Sequence, residues 1–128
     1  MECKINWLAS SGMAFMAETG TGHILNMDGA PEAGGRNLAP RPMELMLAGA
    51  GGCTAFDVVL ILQRSRQNIS ACEVSLQAER AETDPKVFTG IQMHFVVSGR
   101  GIPAAAVERA IALSHERYCS ASIMLGKT

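Results

Sequence analysis

The chain has 128 residues, a length that suits one domain with one modest core. Eleven Lys and Arg residues are scattered among twelve Asp and Glu residues for a formal net charge of −1, so no basic stripe is available to neutralise nucleic-acid phosphates. Apolar residues make up 48% of the chain, which predicts a single globular domain, residues 1–128, with some apolar surface covered by a second copy.

The N-terminus and the cysteines indicate a cytoplasmic protein without a cofactor. Residues Met1–Asn6 have neither the charged lead nor the apolar core of a signal peptide. In the cytoplasm the cysteines Cys3, Cys53, Cys72 and Cys119 are expected to be thiols. They form no CxxC pair and show no zinc-ligand spacing, so the sequence predicts neither a metal nor another cofactor.

Three short apolar runs open the chain and predict an antiparallel β meander. They cover roughly Cys3–Leu8, Met13–Glu18 and His23–Met27, and glycine-containing segments separate them. The segment Asp28–Arg41 follows and is rich in Gly, Pro and Ala. Its length is more typical of a functional or mobile loop than of a simple connection.

A long apolar helix is predicted to begin at Pro42 and to end between Arg64 and Asn68. Its segment Leu45–Leu62 is long enough to cross a bilayer. However, Asp57 and three glycines lie within that segment, and a lone carboxylate is costly inside a membrane. We therefore expect the core helix of a soluble protein, with no membrane partner.

A second hairpin and a second helix complete the predicted α+β arrangement. Alternating apolar positions predict strands around Cys72–Ala78 and Ile91–Val97. An amphipathic helix follows Pro103. The side chains expected on its buried face are Val107, Ile111, Ser114 and Tyr118. The helix should end close to Cys119, where a further short turn would place the sulfur beside a helix N-terminus and favour a thiolate.

Cys53 follows the glycines Gly49, Gly51 and Gly52 within the predicted core helix. Each glycine costs about 1 kcal/mol of helix stability relative to alanine. We therefore expect these glycines to serve a packing or binding role that offsets the lost stability. Glycine lets another helix or a small ligand approach the backbone next to the sulfur. Tight helix packing around an inert buried cysteine is the alternative.

Two stretches of the sequence surround Cys53 and Cys119. The first is PMEL at residues 42–45 followed by AGAGGC at residues 48–53, and the second is ALSHERYCSAS at residues 112–122. These stretches resemble the first cysteine helix and the second cysteine stretch of the OsmC/Ohr family, whose best-known activity is thiol-dependent reduction of organic hydroperoxides. The resemblance implies an α+β, OsmC-like fold in which antiparallel sheets pack around two central helices, and an intertwined homodimer.

The resemblance also implies a role for each cysteine. Cys53 would be the peroxidatic thiol that attacks a small apolar hydroperoxide, and Cys119 the resolving thiol that condenses with the resulting sulfenic acid. A dithiol reductant would regenerate the pair. Attack needs a thiolate, so a cation is expected to lower the pKa of Cys53 and a carboxylate to hold that cation.

Three positions differ from the peroxidase members and resemble a branch called YhfA-like. No arginine precedes Arg36, Met43 occupies the position of the family's glutamate, and Ser120 replaces the proline usual after the second cysteine. Arg36 and Glu44 are therefore the candidate cation and carboxylate. The alternatives are a solvated surface charge for Arg36 and a helix-start charge for Glu44.

Two other functions are compatible with the sequence. A non-catalytic OsmC-like module could bind or sense a small ligand in an apolar pocket at the dimer interface. A redox-regulated structural protein could oxidise slowly at its cysteines and change dimer stability without turnover. Formation of a Cys53–Cys119 disulfide by peroxide distinguishes the peroxidase from both.

Overall fold

The computed structural model describes residues 1–127, which belong to two compact units. The first unit covers residues 1–46, and the second begins at Leu47. The boundary falls within a long helix, α1, which runs from Pro42 to Arg64. The predicted start of this helix and its predicted length are both confirmed.

A three-stranded antiparallel meander forms the sheet of the first unit, as the sequence predicts. Its strands are β1 (Cys3–Trp7), β2 (Phe15–Thr19) and β3 (Ile24–Met27), in the order β1-β2-β3. Gly22 has a φ of 89° in the turn between β2 and β3. A side chain rarely tolerates that conformation, so glycine is needed where this hairpin reverses.

One carboxylate organises the loop that follows β3. Asp28 is buried, and its Oδ1 accepts a hydrogen bond from the Gly29 N–H at 2.7 Å. Its Oδ2 accepts from the Leu38 N–H at 3.2 Å, and the Arg36 N–H lies 3.3 and 3.4 Å from the two oxygens. The Gly29 hydrogen bond above all, followed by that of Leu38, holds the pKa of Asp28 below its ordinary value despite burial. The Asp28 carboxylate therefore orders this loop by binding three of its backbone N–H groups.

Helix α1 ends at a backbone reversal that the sequence did not locate. Arg66 has a left-handed φ of 61°, and its N–H donates to the Gln63 carbonyl. Asn68, predicted as a possible stop, is instead the first residue of the next strand. Asparagine adopts a left-handed φ more often than arginine does. The preferences of the residue types therefore indicated Asn68, although the chain reverses at Arg66.

A long antiparallel hairpin follows α1 and supports one side of it. Its strands are β4 (Asn68–Arg80) and β5 (Phe88–Arg100), and Leu76 pairs with Met93. A Cβ atom on Gly51 would lie 2.6 Å from Leu76 Cδ1, so glycine permits the close approach of α1 to β4. At Gly51, the group that approaches the helix backbone is therefore the Leu76 side chain of a strand, and not another helix or a ligand.

The core of the second unit lies between α1, the hairpin and a second helix, α2 (Ala104–Leu113). Val58, Leu62 and Ala110 are each exposed by 1% or less. The side chains packed against them are Ile61, Ile69, Phe95, Val97, Ala106, Val107 and Ile111. Full burial of a side chain such as Leu62 contributes about 1.5–3 kcal/mol, so this cluster fixes α1 against α2.

A π-helical turn, Ser114–Tyr118, joins α2 to a short helix, α3 (Ser120–Leu125). A π turn contains more residues than an α turn, so the residues after Ser114 rotate away from the predicted α-helical face. Ser114 is buried as expected, whereas Tyr118 is 58% exposed and that part of the prediction is wrong. Cys119 is turned into the interior instead, with 0% exposure.

Replacing Asp28 with asparagine should reduce the stability of the chain most strongly near neutral pH. Because the folded-state pKa of Asp28 is lowered, its stabilisation is present above the unfolded value of about 3.9 and is lost as the pH falls through the lower folded value. Urea denaturation should therefore show a wild-type to Asp28→Asn difference in the free energy of unfolding that shrinks in acid.

Asp84→Asn is the matched control, because Asp84 is an exposed carboxylate of the same type. It should change the free energy of unfolding by less than about 0.5 kcal/mol. A destabilisation by Asp28→Asn that stays constant from neutral to acid pH would contradict this role for Asp28.

Candidate functional site

The second unit brings Cys53 and Cys119 together. Cys53 lies within α1, and Cys119 is the residue that precedes α3. Their sulfur atoms and a carboxylate oxygen of Asp57 all lie within 4.8 Å of one another. Cys53 is half-buried and Cys119 is fully buried. The two thiols are close enough to share a proton and, after side-chain rotation, to form a bond.

Cys119 occupies the N-cap position of α3. Its Sγ accepts a hydrogen bond from the Ser122 N–H at 3.3 Å. Thr54 Oγ1 lies 3.3 Å from the same sulfur and 3.1 Å from the Ala50 carbonyl oxygen. The Thr54 hydroxyl has one proton, so it can accept from a Cys119 thiol or turn and donate to a Cys119 thiolate.

Hydrogen bonding gives the two thiols different acidities. Burial raises the pKa of Cys119, but hydrogen bonds from Cys53, Ser122 and Thr54 together outweigh it and lower the pKa below its ordinary value. The hydrogen bond with Cys119 raises the pKa of Cys53, and burial raises it further. The thiolate expected beside a helix start is therefore favoured at Cys119. The lowered pKa expected for Cys53 is not found within the described residues.

Asp57 connects the site to the turn that positions Cys119. It lies one helical turn after Cys53, and its Oδ2 accepts a hydrogen bond from the Ser114 hydroxyl at 3.0 Å. Ser114 is fully buried and is the first residue of the π turn. This hydrogen bond therefore fixes the start of the segment that ends at Cys119.

Sequence reasoning missed Thr54, Ser114 and Ser122 as parts of this site. Cysteine is not a usual N-cap residue, so nothing in the sequence marked Ser122 as a donor to Cys119. Ser114 did carry a signal, because it is a polar residue on an otherwise apolar helix face. Its partner depends on how α1 and α2 pack, which local sequence does not specify.

The other two predicted site residues lie in the first unit. The Arg36 backbone N–H binds Asp28, and the Arg36 charge helps to lower the pKa of that carboxylate. Glu44 accepts a hydrogen bond from the Arg41 N–H at 2.9 Å, so it caps the first turn of α1. A role for Arg36 or Glu44 in thiol chemistry stays a prediction.

Comparisons with known proteins identify the family. The model of the OsmC-like protein family matches residues 34–128. Protein YhfA from Escherichia coli (strain K12) is 47% identical over 127 residues, which cover 99% of this chain and 90% of YhfA. A solved structure from structural genomics shares 45% identity with a TM-score of 0.89, covering 100% of this chain and 91% of that one.

A more distant structure shares the fold. The organic hydroperoxide resistance protein OsmC from Legionella pneumophila superposes with a TM-score of 0.66 at 18% identity, covering 98% of this chain and 89% of its own. The α+β, OsmC-like fold predicted from the two cysteine stretches is therefore confirmed. Helix α1 is long and apolar enough to cross a membrane by length and composition alone, and its residues Val58 and Leu62 belong to the core of the second unit. The chain belongs to the OsmC-like protein family, and its similarity to YhfA extends over nearly its full length.

Proposed function

We propose that the chain is a thiol-dependent redox protein that reduces organic hydroperoxides through Cys53 and Cys119. The observation that carries this proposal is the convergence of the two sulfur atoms, one half-buried and one fully buried, in the second unit. Membership of the OsmC-like family supports it, as does the description of the Legionella relative as an organic hydroperoxide resistance protein.

In the proposed reaction, the better exposed thiol reacts first. The Cys53 sulfur attacks one peroxide oxygen, the O–O bond breaks, and the leaving alkoxide takes the thiol proton to give an alcohol and a Cys53 sulfenic acid. The Cys119 sulfur then attacks the Cys53 sulfur. Hydroxide leaves with the Cys119 proton as water, and a disulfide remains. A dithiol reductant restores both thiols by exchange.

Thr54 and Ser122 hold the resolving sulfur in this scheme. Their hydrogen bonds to Cys119 Sγ, both 3.3 Å long, aim it towards Cys53. Arg36 and Glu44 are the other two proposed site residues. Arg36 would be the cation that stabilises the attacking thiolate, and Glu44 would be the carboxylate that holds this cation in place. No metal or organic cofactor takes part in the proposed reaction.

A homodimer of single-domain chains, residues 1–128, is the proposed assembly. Only 28% of the most apolar window of α1 is buried within the chain, and Phe56 on this helix is 68% exposed. Met124 on α3 is 65% exposed. A second copy would cover such apolar side chains in a soluble protein. We propose the cytoplasm as its location, with neither nucleic acid nor membrane as a partner.

A non-catalytic module that binds or senses a small apolar ligand is the second candidate. Gly49 and Gly52 favour it, because among the described residues a Cβ atom at either position would meet no atom within 4 Å beyond the neighbouring residues and backbone of its own helix. The space beside Cys53 could therefore receive a ligand without oxidation. Such binding should raise the melting temperature of Cys53→Ser as much as that of the wild type.

Treatment of the reduced protein with one equivalent of cumene hydroperoxide should give a Cys53–Cys119 disulfide, seen by peptide mapping and by loss of two hydrogens in the intact mass. Cys53→Ser should remove the reaction. Cys119→Ser should stop it at a Cys53 sulfenic acid that dimedone traps, because the thiol that resolves this acid has been removed.

Cys72→Ser and Cys3→Ser are matched controls, because each removes a thiol outside the site. Both should form the disulfide at the wild-type rate. A Cys53 that reacts no faster than free cysteine, or one that reacts without linking to Cys119, would remove the peroxidase proposal and favour the binding module.

A further inference from the structure

Three potential metal ligands converge in the second unit. They are the sulfur atoms of Cys53 and Cys119 and a carboxylate oxygen of Asp57, all within 4.8 Å of one another. Two thiolates bound to tetrahedral zinc at about 2.3 Å lie roughly 3.8 Å apart. The three donors therefore need little rearrangement to bind a single ion.

The scaffold holds each donor in place. Cys53 and Asp57 are four residues apart on α1, so their side chains project from the same helix face. The Ser114 hydroxyl orients the Asp57 carboxylate, and the Ser122 N–H orients the Cys119 sulfur. Such hydrogen bonds around a metal site fix the direction of the ligands and tune their basicity.

The charge of the cluster also favours a cation. Within residues 47–127, the hydrogen-bond partner of the Asp57 carboxylate is the neutral Ser114 hydroxyl, and no basic side chain forms an ion pair with it. Two thiols that can ionise lie beside this carboxylate, one of them fully buried. Cys53 and Asp57 are half-buried and Cys119 is buried, so negative charge that develops here is partly shielded from water, and a divalent cation would supply the counter-charge.

We propose that Cys53, Asp57 and Cys119 form a zinc-binding site with a fourth position open to water or another ligand. Two soft thiolates select zinc over magnesium or calcium, and three protein ligands leave one tetrahedral position free. The sequence predicted no metal, because Cys119 is far from Cys53 and Asp57 along the chain and the spacing of the three residues matches no zinc motif. The site goes beyond hydroperoxide reduction, because binding needs only the reduced donors.

Cobalt titration of the reduced, full-length protein tests the site, with Co²⁺ as a spectroscopic probe for Zn²⁺. One Co²⁺ per chain should bind, with thiolate-to-cobalt charge-transfer absorption that Zn²⁺ abolishes by displacement. Cys53→Ser and Cys119→Ser should each lower this absorption by about half or more, because one of two thiolates is lost. Asp57→Asn should keep the absorption but weaken affinity roughly tenfold or more.

Cys72→Ser and Asp84→Asn are the matched controls and should bind Co²⁺ as the wild type does. Wild-type protein whose Cys53 and Cys119 have been joined with diamide should not bind, which tests the site without a substitution. A reduced protein without the charge-transfer band, or an oxidised one that retains it, would overturn the zinc site. Cobalt binding by a protein that hydroperoxide fails to oxidise would reject only the proposed function.

Discussion

The hydrogen bond that the buried Ser114 hydroxyl donates to the half-buried Asp57 carboxylate is the interaction on which the rest of the site depends. It joins the end of α2 to the middle of α1, between two helices whose apolar faces already form one core. The π turn starts at Ser114, so fixing this residue sets the direction in which the following turn delivers Cys119. The apolar core fixes α1 against α2, and this hydrogen bond adds a constraint that directs the N-cap sulfur of α3 towards the cysteine of α1. A polar contact at the edge of an apolar core thus contributes to where the two sulfur atoms lie.

Two thiols in contact behave differently from two isolated thiols. The hydrogen bond between them raises the pKa of Cys53 and lowers that of Cys119, so the first proton to leave comes from the fully buried sulfur. Cys53 is therefore the weaker acid of the two thiols, although its sulfur belongs to the more exposed residue. In the proposed reaction, the proximity of the two sulfur atoms lets one thiol resolve the oxidation of the other. The same proximity, with Asp57 alongside, gives the ligand set of the proposed zinc site. The proposed redox chemistry and the proposed metal binding are alternative uses of one arrangement of donors.

Much of this arrangement could be predicted from the sequence, because apolar periodicity is a local property. The meander, the hairpin and helix α1 follow from such patterns, and the family followed from the residues around Cys53 and Cys119. Two features escaped prediction. Arg66 reverses the chain in a left-handed conformation that its residue type does not favour, where local hydrogen bonds to the carbonyls of Gln63 and Leu62 close the helix end. The π turn inserts a residue that no α-helical pattern reveals. The π turn exposes Tyr118. Because the turn was not predicted and cysteine is an unusual N-cap residue, the hydrogen-bond partners of the Cys119 sulfur were not predicted either.

The π turn places Cys119 against Cys53, so a shorter turn should separate the two thiols. Glu116 is exposed within the turn, so deleting it converts five residues to four and should rotate the following segment by about 100°. The measurement is the yield of Cys53–Cys119 disulfide after diamide oxidation of the deletion variant, with Glu116→Ala as the control of unchanged length. We predict that the control forms the disulfide as the wild type does and that the deletion variant does not. Equal disulfide formation in both variants would contradict the account.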